Sequence, residues 1–230
     1  VGADWDPQAF VETLQRAHVN SITLFARCHH GYVYYMPTRY TPHPELTFNL
    51  LGAQVEACHR ADIRAPIYVT VGWDELAARE HPEWQEVTPQ GVLGQHSPLE
   101  ARWKKLCLNS PYLDYVWGQT EEVIDLFGGE VDGFFFDIIH QGECVCPHCL
   151  RGMASEGLNA ECAADRQRYA LAVLDRYRRR FASQVWARVP GSTIFHNAGH
   201  IHASLRATRD ASEKPAAFSA SLRALSECSP

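Results

Sequence analysis

The stretch that most constrains the fold is residues 131–139, VDGFFFDII, a mostly apolar run that carries two carboxylates, Asp132 and Asp137. A run of this kind is typical of a strand buried on both faces, as in a parallel sheet covered by helices. Asp137 stands where such a strand leaves the core, and a charge there must be paired, hydrated or used in chemistry. The active sites of parallel α/β proteins lie at the C-terminal ends of strands. Asp137 is therefore either a catalytic residue or a partner and cap for the following loop.

Strand and helix patterns alternate along the rest of the chain. We predict strands at residues 21–26, 65–71, 106–108, 131–139 and 192–196, and helices at residues 7–17, 49–61, 109–127 and 162–189. No hairpin signal separates the strands, so the order predicts an α/β fold with a parallel sheet, either doubly wound or a barrel. Neither common glycine-rich phosphate loop follows a strand, which gives a nucleotide-binding fold little support.

Polar and aromatic residues follow four of these strands, and this favours the barrel. The four sets are His29 with His30, Trp73 with Asp74, Asp137 with His140, and His196 with Asn197. In a (β/α) barrel of the TIM type all four would surround one mouth. Residues 203–230 are rich in Ala and Ser and contain no strand pattern. We therefore expect an incomplete barrel of about five strand–helix units in residues 1–202, followed by a tail, 203–230, that is disordered or a non-native continuation.

The residues at the strand ends suit a sugar. Imidazoles can hydrogen-bond sugar hydroxyls, and flat aromatic rings can stack on sugar C–H groups, the mixture that small-molecule sites usually have. Taken singly, each histidine or aromatic residue is more often structural, and only their coincidence at several strand ends favours a site. The candidate substrate-binding residues are His29, His30, Tyr34, Trp73, Asp74, His140 and Asn197.

Glycoside hydrolysis would give Asp137 the role of nucleophile. A retaining glycosidase needs a second carboxyl group about 5 Å from the nucleophile, and an inverting one needs it farther away. Glu143, Asp74 and Glu75 are the available candidates at the same expected mouth, and Glu143 is our candidate acid/base. Two carboxyl groups suffice for this reaction, so the chemistry requires no cofactor.

A cysteine cluster is the second notable feature of the sequence. Cys144, Cys146 and Cys149 lie within six residues, and Cys162 follows thirteen residues later. Four soft ligands close together suit a structural Zn²⁺ ion, which prefers tetrahedral Cys or His coordination. The alternative is a surface loop of reduced thiols, which oxidise readily. Both interpretations stay open at this point.

Charge and hydropathy limit the classes of partner that this protein can bind. The formal charge is −6, and Arg178 to Arg180 is the one basic cluster among 21 Lys and Arg residues, which argues against nucleic acid. No run approaches the roughly 18 apolar residues of a membrane span. The first ten residues lack a signal-peptide pattern. We expect a cytoplasmic, reduced protein with a carbohydrate as its partner.

Several motifs together resemble known glycosidases. The run ITLFARCHHGYVYYMPT at residues 22–38 resembles the double-histidine segment of the α-L-fucosidases of glycoside hydrolase family 29, and VDGFFFD at residues 131–137 is similar to the strand that ends in their aspartate nucleophile. HPEW at residues 81–84, LCLNSPY at residues 106–112, DGFFFDI and CVCPHC resemble a bacterial family of hypothetical glycosyl hydrolases.

The second resemblance extends over about residues 4–202 and implies a TIM-barrel domain, often followed by a β-galactosidase-type trimerisation domain and hence a homo-oligomer. It also implies hydrolysis of fucosides, galactosides or related oligosaccharides, with Asp137 as nucleophile and His29 and His30 in sugar-binding places. Two departures from the fucosidase pattern leave the identity of the sugar undecided. Cys28 stands where fucosidases have Lys, and Tyr32 follows Gly31 without an intervening Asp. The alternative to an enzyme is a catalytically incomplete carbohydrate-binding or scaffolding domain with a zinc-stabilised cysteine loop.

Overall fold

The computed structural model describes residues 1–94 and 102–197, and the tail expected at residues 203–230 lies outside these ranges. The elements alternate between helix and strand, as the sequence predicts. The helices are α1 (Pro7–Arg16), α2 (Leu50–Arg60), α3 (Glu75–Glu80), α4 (Tyr112–Phe127), α5 (Pro147–Ser155) and α6 (Ala163–Arg188). The strands are β1 (Leu24–Phe25), β2 (Ile67–Thr70), β3 (Gly133–Asp137) and β4 (Thr193–Asn197).

The four strands form one parallel sheet in the order β1-β2-β3-β4. Each strand pairs with the next one along the chain, and helical crossovers join β2 to β3 and β3 to β4. This is the repeating arrangement of a β/α barrel, and it confirms the predicted fold class, α/β with part of a barrel. The register aligns Thr70, Asp137 and Asn197 at the C-terminal ends of three neighbouring strands.

The two faces of the sheet have different environments, because successive side chains of a strand point to opposite sides. Phe134 and Phe136 are buried towards the helices, where the Phe136 ring lies 5.3 Å from that of Phe181 on α6. On the opposite face, aromatic rings from all four strands form a stacked row, with centroids 4.2 to 5.8 Å apart: Phe25, Tyr68, Phe135 and Phe195. Asp137 has the same parity as Phe135, so it belongs to this second face.

The helices begin at the predicted capping residues. The Asp6 side chain accepts hydrogen bonds from the first amides of α1, and Asn49 accepts from Gly52 at the start of α2. Such caps satisfy donors that the helix itself leaves unpaired. No helix in the two described ranges combines the length and the apolar character needed to cross a membrane.

Two local predictions are wrong. Residues 106–108 are not a strand of the sheet: Leu106 forms an isolated antiparallel bridge with Gln85, so the described sheet has four strands rather than five units. These residues are apolar because they are buried beside the cysteine cluster. The predicted cysteine loop also contains a helix, α5, which begins at Pro147, a favoured first helical residue.

Candidate active site

Asp137 is held at the end of β3 by hydrogen bonds to both of its carboxylate oxygens. Asn197 Nδ2 donates to Oδ1 over 2.7 Å, and the hydroxyl of Tyr68 donates to Oδ2. The residue is 8% exposed, so it is nearly enclosed by its neighbours. Two donors on one carboxylate fix its orientation. Both partners of Asp137 are side chains of the neighbouring strands β2 and β4.

The backbone turns sharply directly after Asp137. Ile138 has φ = 56°, a left-handed conformation that β-branched residues rarely adopt. Its carbonyl oxygen lies where a side chain on Gly72 would be, since a Cβ there would be only 2.3 Å away. The amide of Ile139 then donates to the carbonyl of Asn197 over 3.1 Å. Strained residues of this kind concentrate at functional sites, where the surrounding structure enforces them.

His29 presents an imidazole to the same group of residues. Its Nδ1 lies 2.8 Å from Thr70 Oγ1, and the Thr70 hydroxyl can donate to the carbonyl of Trp73 at 3.5 Å. That arrangement leaves the Thr70 oxygen to accept a hydrogen bond from the Nδ1–H group, so Nε2 is an acceptor. Burial lowers the pKa of His29, and the charge of Asp137 opposes this effect. A neutral His29 can therefore accept a hydrogen bond from a hydroxyl group.

Two tryptophans flank the double histidine. The ring of Trp73 meets His29 edge-on at 4.9 Å, and Trp103 lies 5.5 Å from His29 and 4.7 Å from His30. The indole N–H of Trp73 is buried without a hydrogen-bond partner among the described residues. The predicted residues His29, His30 and Trp73 therefore lie together in one cluster of aromatic rings. No local signal selects Trp103, because its partners His29 and His30 lie more than 70 residues away along the chain.

His140 lies three residues after Asp137 and approaches a buried carboxylate. Its Nδ1 is 3.8 Å from Oε1 of Glu86, whose side chain is fully buried. Partial burial lowers the pKa of His140 to about 4, with the charge of Lys105 acting in the same direction, so the ring is neutral near pH 7. Glu86 was not selected from the sequence, where nothing marks it beyond a position after the HPEW motif.

Asp74 has a structural role, which corrects its prediction as a substrate-binding residue. It is fully buried, forms an ion pair with the buried Arg27, and accepts a hydrogen bond from the amide of Ala77 over 2.8 Å at the start of α3. Both carboxylate oxygens are thus engaged inside the protein. Burial requires such pairing, because an isolated charge in the core costs several kcal/mol.

Tyr34 and Glu143 have partners outside the Asp137 group. The Tyr34 hydroxyl donates to Cys28 Sγ over 3.1 Å, and its ring stacks on His43. Glu143 forms an ion pair of 3.2 Å with Arg166 of α6. The structure therefore connects the candidate acid/base to the helix layer, and it does not bring Glu143 to Asp137.

The cysteine cluster contains four sulfurs, but they differ from the predicted set. Cys107, Cys144, Cys146 and Cys149 have sulfur atoms that all lie within 4.8 Å of one another, and all four residues are buried. Cys107 thus takes the place predicted for Cys162, which is the N-cap of α6. Hydrogen bonds from the neighbouring thiols lower the pKa of Cys146. Four mutually close sulfurs form a donor set that fits tetrahedral Zn²⁺.

Two backbone amides approach one sulfur atom of the cluster. The amides of Val87 and Cys146 point at Cys144 Sγ, at 3.3 and 3.4 Å. Such donors compensate negative charge on thiolates and orient them. The cluster joins the 85–87 and 105–108 segments to the chain that follows Asp137.

Comparison with solved structures finds glycosidases that share this fold. Among solved structures, the chain is similar to "Alpha-L-fucosidase isoenzyme 2 from Paenibacillus thiaminolyticus", with 39% identity and a TM-score of 0.82 over 88% of this chain and 30% of that one. It shares the fold of β-galactosidases from Halorubrum lacusprofundi (16% identity, TM-score 0.62, 84% of this chain and 35% of that one) and Rahnella sp. R3 (14%, 0.63, 84% and 33%). The chain thus spans about a third of the length of these proteins.

No curated protein matches the chain. The family described as "Hypothetical glycosyl hydrolase 6" matches residues 6–138, more than half of the sequence, and the match ends one residue after Asp137. The chain therefore belongs to the hypothetical glycosyl hydrolase 6 family.

Proposed function

We propose that this chain carries the nucleophile side of the active site of a retaining glycoside hydrolase. The observation that carries the proposal is Asp137, a carboxylate oriented by Tyr68 and Asn197 at the C-terminal end of a parallel strand. The family and the fucosidase similarity support glycosidase chemistry in general.

In this mechanism an Asp137 oxygen attacks the anomeric carbon and forms a glycosyl ester as the bond to the leaving oxygen breaks. A carboxylic acid gives its proton to that oxygen. Water then attacks the same carbon, the ester bond breaks, and the second carboxylate accepts the proton from water. Glu143 has no role in the proposal, because it would have to leave Arg166 to act.

The substrate we propose is a fucoside, a galactoside or a related oligosaccharide. His29 and His140 would accept hydrogen bonds from hydroxyl groups, since both imidazoles are neutral. Trp73 would stack on the apolar face of the sugar beside His29, with His30 and Asn197 completing the site. The chain spans 30% of the similar fucosidase. For that reason the second candidate is a chain that binds sugar without turning it over.

The test is hydrolysis of aryl fucosides and galactosides by the wild-type chain and by Asp137→Asn. We expect at least about a thousandfold loss of kcat/KM, because about 4 kcal/mol of transition-state stabilisation is removed. Asp132→Asn, at the other end of the same strand, is the matched control and should retain activity. Equal activity of the wild type and Asp137→Asn would contradict the nucleophile assignment. Saturable sugar binding without hydrolysis would support the second candidate.

We also propose that Cys107, Cys144, Cys146 and Cys149 bind one structural Zn²⁺ ion. Their mutual distances support this. We also propose that the protein is cytoplasmic, because thiolates persist in that reducing compartment. Elemental analysis should find about one zinc per chain. Cys107→Ser should lose the metal, whereas Cys58→Ser, at a free buried cysteine outside the cluster, should keep it. Zinc-free wild-type protein with unchanged stability in a chelator would contradict the site.

A further inference from the structure

Glu86 is a fully buried carboxylate that the proposed mechanism does not use. It lies two residues after the 3-10 helix at Pro82–Trp84, and its backbone is paired on both sides, with the carbonyl of Lys105 and the amide of Gly94. Its side-chain oxygen Oε1 accepts a hydrogen bond of 2.7 Å from the amide of Gly142. Burying a carboxylate costs several kcal/mol unless polar groups compensate it, and the Gly142 amide and the charge of Lys105 contribute to that compensation.

The turn that Glu86 contacts carries His140. The amide of Gly142 binds Oε1 of Glu86, and the same oxygen lies 3.8 Å from Nδ1 of His140. That Nδ1 atom is buried and has no hydrogen-bond partner among the described residues, although the side chain as a whole is 44% exposed. The buried Nδ1 atom therefore faces the carboxylate, and the exposed part of the side chain lies elsewhere on the ring.

The arrangement determines which nitrogen carries the proton. A neutral imidazole has one N–H, and a carboxylate is an acceptor only, so a proton on Nδ1 gives the favourable pairing with Glu86. A closure of less than 1 Å brings the two atoms to hydrogen-bonding distance, and such contacts are often long in ligand-free sites. Nε2 is then an acceptor, as in His29, where Thr70 takes the place of Glu86.

We propose that Glu86 is a positioning residue of the sugar site: it fixes the turn at residues 140–142 and the Nδ1-protonated tautomer of His140, so that Nε2 accepts a hydrogen bond from a substrate hydroxyl. The effect of this positioning on catalysis rests on the proposed function. Its structural part, the tautomer, does not depend on turnover.

The first test is ¹⁵N NMR of the imidazole of His140 in the whole chain. We expect the wild type to have its proton on Nδ1 near pH 7. Glu86→Gln keeps a carbonyl acceptor and should preserve this tautomer, whereas Glu86→Ala should shift the proton to Nε2. Glu83→Gln, three residues earlier and exposed, is the matched control and should change nothing. A wild-type His140 with its proton on Nε2 would overturn the proposal without any variant.

The second test is kinetic and separates this inference from the proposed function. Glu86→Ala should raise KM for an aryl glycoside about 10- to 100-fold with a smaller change in kcat, and Glu86→Gln should restore KM to within about threefold. A fall in kcat together with a rise in KM, neither of which Glu86→Gln restores, would contradict positioning through His140. An Nδ1 tautomer in a protein without glycosidase activity would keep the Glu86 assignment and reject the proposed function.

Discussion

Replacing Asp74 tests the assignment of this residue to the core rather than to the sugar. Asp74→Ala leaves the guanidinium of Arg27 buried without its carboxylate, which costs about 3–5 kcal/mol. The same change removes the cap on the Ala77 amide, worth about 1 kcal/mol. We therefore expect the free energy of unfolding to fall by about 4–6 kcal/mol, close to the whole stability of many domains.

Urea denaturation followed by circular dichroism measures this change directly. Asp74→Asn keeps an oxygen for the Ala77 amide but loses the charge, so it should lie between the wild type and Asp74→Ala. Asp125→Ala, which breaks an exposed pair with Arg188, should cost less than about 1 kcal/mol. If Asp74→Ala costs no more than Asp125→Ala and instead abolishes sugar binding, the structural assignment is wrong.

Three further changes test two neighbours of Asp137 and one residue on the helix-facing side of the sheet, His196, which packs against Phe136 and Tyr177. Gly72→Ala forces a Cβ against the carbonyl of Ile138 and should lower the free energy of unfolding by about 1–3 kcal/mol. Gly129→Ala, with open space around it, should cost less. Equal urea midpoints for the two variants would contradict this prediction. Burial and the charge of Arg178 lower the pKa of His196 from 6.5 to about 4. The unfolded chain then binds more protons, so stability should be complete above pH 6.5 and fall by up to about 3 kcal/mol as the pH decreases to 4, with a shallower slope in His196→Asn. Tyr68→Phe removes a donor to Asp137 and should change kcat/KM at least about tenfold; an unchanged value would show that this hydrogen bond has no catalytic effect.

Strand positions were predictable because hydrophobic runs and capping residues are local signals. The run that contains Asp137 is a strand, Asn197 ends the neighbouring strand β4, and His29 follows β1, two strands away from Asp137 in the same sheet. The rule that parallel strands present their C-terminal ends on one side was enough to place them together. It needs no knowledge of the register.

The contacts of Asp137 were not predictable in the same way. Tyr68 lies 69 residues away and reaches the carboxylate only because the register pairs Tyr68 with Phe135, two residues before Asp137. Cys107 joins the cysteine cluster for a similar reason: an apolar segment resembling a strand turns out to pack beside it. Spacing along the chain carries no information about such long-range approaches.

Asp74 shows that a local signal can also be misinterpreted. An aspartate followed by Glu75 and an apolar residue is a typical helix start, and α3 begins there. Its position after a strand suggested a site instead. A residue at a strand end can serve either purpose, and the ion pair with the buried Arg27 favours the structural one for Asp74.

The most direct test of the central claim is covalent labelling of Asp137. A 2-deoxy-2-fluoro glycosyl fluoride of the fucose or galactose series slows release of the glycosyl ester, so peptide mass spectrometry can identify the residue that carries the sugar. The account predicts that the label lies on the peptide containing residues 131–139, at Asp137, and that Asp137→Asn is not labelled. A sugar attached to any other carboxylate, or labelling that persists in Asp137→Asn, would contradict it.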